Sequence, residues 1–470
     1  MRHFLFLQGG VGPLFSRLGA HLDRSGHVVS RLNFCMGDCL VWRRPGAIAF
    51  RESLGVLPER LEAICCQRQV TDLLLFGGCR PVHRPALALA RAMGLRAYVV
   101  EEGYLRPNWI TIEPGGVNAD SALPRDPDWY RRVAPGLPQL PEVAQVLRVP
   151  MAVMAQMKPS ALVDALVSVD EATRAQEAAR VDASADLKLG HDLAARALRG
   201  GAYQLARLAD PWAFPHYRSH RADHPFAEAA GWLRRFSALR LHRRRDRAQI
   251  EPLFRRGGRF FLLPLQLRGD AQVVYYSRFA GMLELIDQVI ESFAQHAPVD
   301  TQLLIKNHPL DSRLLDYARH VQRVATAAGI VERVHYIETG ELSRLLEAAT
   351  GLVTINSTCG LAALMRRCPT IALGQAIYDL PGLTFQGPLD RFWQTPEPPD
   401  LALSEAFSRV LVHTSQLRGN LYTRSGIQMA VRGIDRFLAE RSPLEILLDR
   451  CQPAHAGDVV GPSWPDRIRD

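Results

Sequence analysis

Short apolar runs recur along the chain, each closed by glycine, proline or charged residues and followed by a stretch with helical spacing. In the first part they are Phe4 to Gln8, Val28 to Phe34, Asp72 to Phe76 and Arg96 to Val100. In the second they are Arg259 to Gln266, Leu303 to Ile305, Val334 to Ile337, Leu352 to Ile355 and Pro369 to Leu373. Strands that alternate with helices require a parallel sheet with right-handed crossovers. The expected fold class is α/β: two Rossmann-like domains facing a cleft, with a helical insertion. The chain has 470 residues, enough for two or three domains. We place the first domain at 1–250, with an insertion over about 151–250 whose Met151 to Leu198 part is Ala-rich and helical in rhythm. The second spans 251–425, and 426–470 forms a C-terminal helix and tail. The helix from Ile427 to Glu440 is expected to cross back to the first domain.

Polar residues cluster where the strands stop. Leu303 to Ile305 runs into Lys306-Asn307-His308-Pro309, and Pro309, without an N–H, ends the strand. In an open α/β sheet ligands bind at the carboxyl ends of strands. Lys306 and His308, as residues i and i+2 on one strand face, are expected to reach the same volume. Two potential cations there suit a phosphate, although a solvated strand end would carry the same residues. Arg96 to Val100 ends in Glu101-Glu102-Gly103, two carboxylates that are costly to bury unless paired or used. One should enter the cleft and the other serve the structure, with Gly103 allowing a sharp turn. Leu352 to Ile355 ends in Asn356-Ser357-Thr358, where the hydroxyls either cap the following helix or hold a phosphate at its positive end.

The other signals are weaker. Gly9-Gly10-Val11-Gly12-Pro13 follows the first strand, so its amides can approach a ligand, but it is neither GxGxxG nor a P-loop. The eight cysteines show no spacing of a zinc site. The net charge of +9 is concentrated in Arg234, Arg235, Arg240, Arg243, Arg244, Arg245 and Arg247. With Trp232 and Phe236 nearby, this segment suits an anionic membrane surface better than nucleic acid. No apolar run approaches the roughly 18–20 residues of a membrane span, and the start is too short for a signal peptide. The expected location is the cytoplasm.

The three strand-end motifs, in this order, resemble the acidic-acidic-Gly, His-Pro and Ser-Ser/Thr motifs of bacterial sialyltransferases with the GT-B fold. The closer resemblance is to capsule-polysaccharide β-Kdo transferases of the KpsS/LipB type. It is carried by Leu7 to Pro13, Val100 to Pro107, Leu263-Pro-Leu-Gln266, Lys306 to Asp311 and Thr354 to Leu361. The Tyr217-Arg-Ser-His-Arg221 segment with Trp232 downstream also belongs to it. The resemblance covers about Phe4 to Phe392.

What the resemblance implies is a retaining, metal-independent GT-B transferase that uses CMP-β-Kdo and no further cofactor. Its acceptor would be a lyso-phosphatidylglycerol-type lipid, on which it starts the poly-Kdo linker of a capsule. Lys306, His308, Pro309, Asn356, Ser357, Thr358, Gln266 and Gly10 would bind the donor. Retention requires two displacements, so a carboxylate must attack the anomeric carbon. That role falls to Glu102, with Glu101 as the alternative, because related enzymes resemble Glu-Asp-Gly here and this chain has the longer Glu. Asp270 is a candidate acid/base and Arg106 a fork for the Kdo carboxylate. The enzyme would be peripheral to the inner membrane, with other capsule assembly proteins as further partners and no nucleic acid. Two rival readings stay open: a GT-B enzyme with another nucleotide-sugar donor, and a non-catalytic export or assembly protein.

Overall fold

A computed structural model describes residues 1–106, 108–139, 199–217, 225–255 and 259–452. The expected insertion at 151–198, Pro107, Arg218 to Arg221 and the tail at Pro462, Trp464 and Pro465 lie outside the described residues.

Among the described residues the strands are β1 (His3–Phe6), β2 (Val28–Asn33), β3 (Ala47–Ala49), β4 (Asp72–Phe76), β5 (Arg96–Glu102) and β6 (Trp109–Pro114). They continue with β7 (Phe260–Pro264), β8 (Gln302–Lys306), β9 (Val334–Ile337), β10 (Gly351–Thr354), β11 (Thr370–Ala372) and β12 (Gln416–Arg418). One sheet has the order β12-β6-β5-β4-β1-β2-β3, the other β11-β10-β7-β8-β9.

The chain forms two compact units. The first comprises Met1–Ala122, Gln139–His220 and Leu411–Asp449; the second comprises Leu123–Pro138, Arg221–Val410 and Arg450–Asp470. These limits differ from boundaries drawn at 250 and 425. The helix Pro225–Arg255, placed by sequence with the first domain, belongs to the second unit. The reason is local: Asp246, fully buried on this helix, accepts hydrogen bonds from Glu338 N (3.0 Å), Thr339 N (2.8 Å) and Thr339 Oγ1 (2.9 Å) just after β9.

In the second unit all five strands are parallel. Phe261, Leu263, Leu303, Ile305, Val353 and Ile355 face one core, and Phe260, Leu262, Leu304 and Leu352 face the other. A parallel strand covered on both faces must be apolar at every position, which is why these runs do not alternate. The first unit is parallel from β5 to β3, but β6 and β12 are antiparallel. This departs from the purely parallel expectation, because a tight β5–β6 hairpin replaces a crossover. The helix Arg424–Ala439 packs Ile427, Ala430, Val431 and Ile434 in the same core as Leu14, Phe15, Leu18 and Leu22 of the helix Leu14–Arg24. It therefore belongs to the first unit although it is the last long helix among the described residues.

Replacing Asp246 with Ala leaves one buried donor, Glu338 N, and two part-buried ones on Thr339 without an acceptor. The expected loss is about 3 kcal/mol, since each orphaned donor costs roughly 1–3 kcal/mol and neighbours relax in part. Urea unfolding of the full chain, followed by circular dichroism, should show it, with Asp246→Asn keeping part of the stability.

Candidate functional site

In a sheet wound in both directions, the crevice forms where the strand order reverses. In the second unit the chain runs β7, β8, β9 one way and places β10 and β11 on the other side of β7, so the reversal lies between β7 and β10. Gln266 follows β7 and Asn356 follows β10. The Gln266 side-chain amide donates to Asn356 Oδ1 (3.1 Å), and Asn356 N donates to Gln266 Oε1 (3.3 Å). Asn356 Nδ2 also donates to Gln272 O (2.9 Å). Asp270 completes this cluster: it caps the helix Ala271–Tyr276 through Gln272 N (3.0 Å) and accepts from Gln266 Nε2 (3.3 Å). Its geometry is that of a cap that also orients Gln266.

Ser357 caps the helix Thr358–Leu364 by accepting from Cys359 N (3.2 Å), and Thr358 opens that helix. Tyr378 donates to Ser357 O (2.5 Å) from a fully buried ring, which fixes the turn from below. The cap reading of Ser357 is thus satisfied, and its hydroxyl hydrogen still has a direction to donate in.

Lys306 is the last residue of β8, and its ammonium donates to Asn307 O (3.3 Å). Burial pushes its pKa down, while the nearby Cys359, Asp246 and Glu338 side chains oppose that and Arg235 adds to it. Asn307 donates to Glu338 (3.0 Å), and its Oδ1 accepts from His308 N (2.8 Å). That bond, with Pro309 next, takes the chain out of the ladder. His308 therefore lies past the strand, in a turn closed by Asp311 N to His308 O (3.1 Å). The expectation that Lys306 and His308 share one strand face is corrected accordingly: Lys306 is buried and His308 half-buried. His308 Nδ1 accepts from Leu310 N (3.0 Å), so a neutral ring carries its hydrogen on Nε2. One edge of the second unit thus holds Gln266, Asp270, Lys306, His308, Pro309, Asn356, Ser357 and Thr358.

In the first unit, Glu101 and Glu102 are the last residues of β5 and pair with Thr111 and Ile110 of β6. Gly103 donates to Trp109 O (2.9 Å), and a Cβ at Gly103 would meet the Trp109 backbone at 2.6 Å. Glycine is required by that close approach. The two acids part company as strand geometry demands. Glu101 accepts from Asn118 Nδ2 (2.6 Å). Glu102 accepts from the Tyr422 hydroxyl and pairs with Arg106 (3.2 Å). Arg106, expected to face a substrate carboxylate, here holds Glu102 and also donates to Gly103 O (3.3 Å). Tyr422 was not legible in sequence, since it joins Glu102 across 320 positions.

A second feature escaped the sequence reading: a buried polar network past β1 and β2. Asp38 accepts from Gln8 Nε2 (3.2 Å), Phe34 N (3.0 Å) and Tyr203 OH (3.1 Å), and lies 3.5 Å from Arg31. Gln8 Nε2 also donates to Tyr217 OH (2.9 Å). The available signal was Arg31, a charge inside a run otherwise read as a buried strand. Gly10 sits above, where a Cβ would press on the Phe76 ring at 3.2 Å.

The family described as capsule polysaccharide biosynthesis protein matches residues 71–172 and 169–422. The chain is 32% identical over 422 residues to the capsule polysaccharide export protein KpsS of Escherichia coli, covering 90% of this chain and 97% of that one. It is 32% identical over 431 residues to the capsule polysaccharide modification protein LipB of Neisseria meningitidis serogroup B, covering 90% and 92%. A solved structure, the Thermosulfurimonas dismutans KpsC β-Kdo 2,7 transferase, aligns over 94% of this chain and 100% of its own, at 14% identity and a TM-score of 0.39. The chain belongs to the capsule polysaccharide biosynthesis protein family.

Proposed function

We propose that this protein is a retaining glycosyltransferase of the GT-B type that moves Kdo from CMP-β-Kdo to a lyso-phosphatidylglycerol-type lipid, the first step of a capsule linker. The observation that carries the reading is a carboxylate, Glu102, gripped by Tyr422 and Arg106 at one strand end. The family supports a capsule role, and the name of LipB, a modification protein, fits chemistry on the polysaccharide.

In this reading Glu102 attacks the anomeric carbon, the C–O bond to CMP breaks, and CMP leaves with the electron pair. Lys306 neutralises the charge gathering on the departing phosphate, and His308 Nε2–H, Ser357 and Thr358 donate to it. The acceptor hydroxyl then displaces Glu102 and loses its proton to a base, which restores the configuration. Asp270, fastened to Gln266 and a helix cap, serves to position rather than to carry that proton. The reading uses no metal. The name of KpsS, an export protein, favours the rival reading of a non-catalytic assembly partner.

Purified protein should release CMP from CMP-Kdo, leave UDP-sugars intact, and yield Kdo-lyso-phosphatidylglycerol by mass spectrometry. Glu102→Gln should lower kcat on the order of 10³-fold, and adding His308→Ala should cost less than the two single losses multiplied, as for residues acting in one step. Undiminished turnover by Glu102→Gln would remove the nucleophile assignment, and the absence of any CMP release would favour the export reading.

We also propose peripheral binding at the inner membrane through the helix Pro225–Arg255. No helix among the described residues is long and apolar enough to cross a membrane. The basic cluster divides in the structure. Arg235 is buried and donates to Asp311 O, and Arg234 donates to Arg313 O, so these two serve the fold. Arg240, Arg243, Arg244 and Arg247 are exposed. Arg243, Arg247 and Arg344 line a groove of about 260 Å³ with Ile250, Phe254 and Leu345, together with Glu341 and with Glu251, which pairs with Arg247 (2.6 Å). Each exposed Arg near an anionic surface contributes about 1 kcal/mol before screening. Changing Arg240, Arg243, Arg244 and Arg247 to Ser should therefore release most of the protein from phosphatidylglycerol vesicles in a sedimentation assay at 0.1 M salt. Equal sedimentation of variant and wild type would refute the docking face.

A further inference from the structure

The first unit has its own reversal of strand order. From β1 the chain goes to β2 and β3 on one side, then returns to place β4 and β5 on the other. The crevice expected of such a sheet lies past the carboxyl ends of β1 and β4. Two chain segments meet there: Gln8-Gly9-Gly10 after β1 and Gly77-Gly78-Cys79-Arg80 after β4. Arg80 bridges them, donating through one nitrogen, Nη1, to Gln8 Oε1 (3.2 Å) and Gly9 O (3.0 Å). Its guanidinium also lies 5.7 Å from the centre of the Phe76 ring.

All of these partners are neutral. The carboxylates of the neighbouring network are matched to other cations: Asp38 lies with Arg31 at 3.5 Å, and Asp210 with Arg207 at 3.2 Å. Among the described residues no carboxylate pairs with Arg80. The side chain is half-buried, held in place, and has the N–H groups of Nε and Nη2 still to satisfy. A fixed guanidinium with donors to spare, at a sheet's ligand-binding edge and beside glycines that leave backbone space, is suited to an oxyanion and above all to a phosphate. The second unit's reversal carries the amide pair Gln266 and Asn356.

We infer that Arg80 anchors the phosphate ester of the acceptor, positioning it on the first unit through a fork of N–H donors. This rests on the proposed function only in naming the acceptor as a phosphate-bearing lipid. Arg80 does not touch the reacting carbon in this scheme, so it acts on acceptor binding and not on CMP release.

The test is a calorimetric titration of the full chain, as wild type, Arg80→Ala, Arg80→Gln and Arg80→Lys, with three ligands: short-chain lyso-phosphatidylglycerol below its micelle concentration, glycerol 1-phosphate, and CMP. The expected result is binding of the first two by wild type and a roughly 10- to 100-fold weakening of both in Arg80→Ala, the range for one charged hydrogen-bonded contact. Arg80→Lys should fall between, and CMP binding should be the same in all four proteins. Arg80→Gln removes the charge while keeping a polar side chain, so a folding defect in Arg80→Ala leaves the comparison standing. Tighter binding of the lipid than of glycerol 1-phosphate assigns the site to a lipid headgroup, and equal binding assigns it to a soluble phosphate ester. The inference is overturned if wild type binds neither ester, if Arg80→Ala and Arg80→Gln bind them as wild type does, or if CMP binding falls in step. The titration reads binding alone, so a protein that transfers no Kdo can pass it and an active transferase can fail it.

Discussion

A parallel strand covered on both faces buries a charge or an amide only where a partner is at hand, so such groups gather where it stops. Phe260 to Leu263 and Leu303 to Ile305 are buried at every position, on alternating cores, and the first polar side chains arrive at Gln266 and Lys306. Burying a charge or an amide inside those runs without a partner would cost several kcal/mol. The chemistry of this chain is therefore pushed to one edge of each sheet. Direction follows as well: parallel strands share that edge, so residues far apart in sequence gather without any long excursion of the backbone. Gln266, Lys306 and Asn356 lie together for this reason, although 90 positions separate the first from the last.

The same constraint explains what was legible in the sequence. An unbroken apolar run with an abrupt polar end is a local signal, so β4, β7, β8, β9 and β10 were located from sequence to within two or three residues. Strands that are short or interrupted by polar residues give no such signal. The run Trp109 to Pro114 alternates and contains Glu113, and Gln416 to Arg418 is three residues long. Both are strands because a neighbour pairs with them. The antiparallel edge of the first sheet, and with it the pairing of Glu101 and Glu102 to β6, was invisible for that reason. Side-chain partners supplied late in the chain were equally hidden. Gln416 takes the Tyr104 amide (2.9 Å) and Tyr422 takes Glu102, each more than 300 positions away, and no local pattern encodes such contacts.

Hydroxyl and carboxyl groups at strand ends carry two duties that a sequence cannot separate. Ser357 reads as a cap or as a phosphate donor, and the structure shows the cap made with its acceptor side while its hydrogen is left to orient. Asp270 shows the reverse outcome, with both oxygens occupied by Gln272 N and the Gln266 amide. The basic helix divides in the same way. Arg235 is buried against a backbone carbonyl, whereas Arg243 and Arg247 stay at the surface, and only packing against the segment at Asp311 distinguishes them.

The position of Glu102 gives the length of its side chain a physical meaning. A glutamate has one more rotatable bond than an aspartate and so loses more freedom when it is held in a single geometry. Here that freedom is removed from two sides, by a phenol arriving from the C-terminal segment and by Arg106 four residues on. Arg106 reaches back because Gly103 lets the hairpin close tightly on Trp109, which returns the chain beside the strand it has just left. A carboxylate whose two oxygens are each engaged by a different side chain is oriented before any ligand arrives, as the proposed attack by Glu102 would require. The longer acid and the distant tyrosine are then two parts of one arrangement, in which reach is gained from the side chain and order is supplied by its partners.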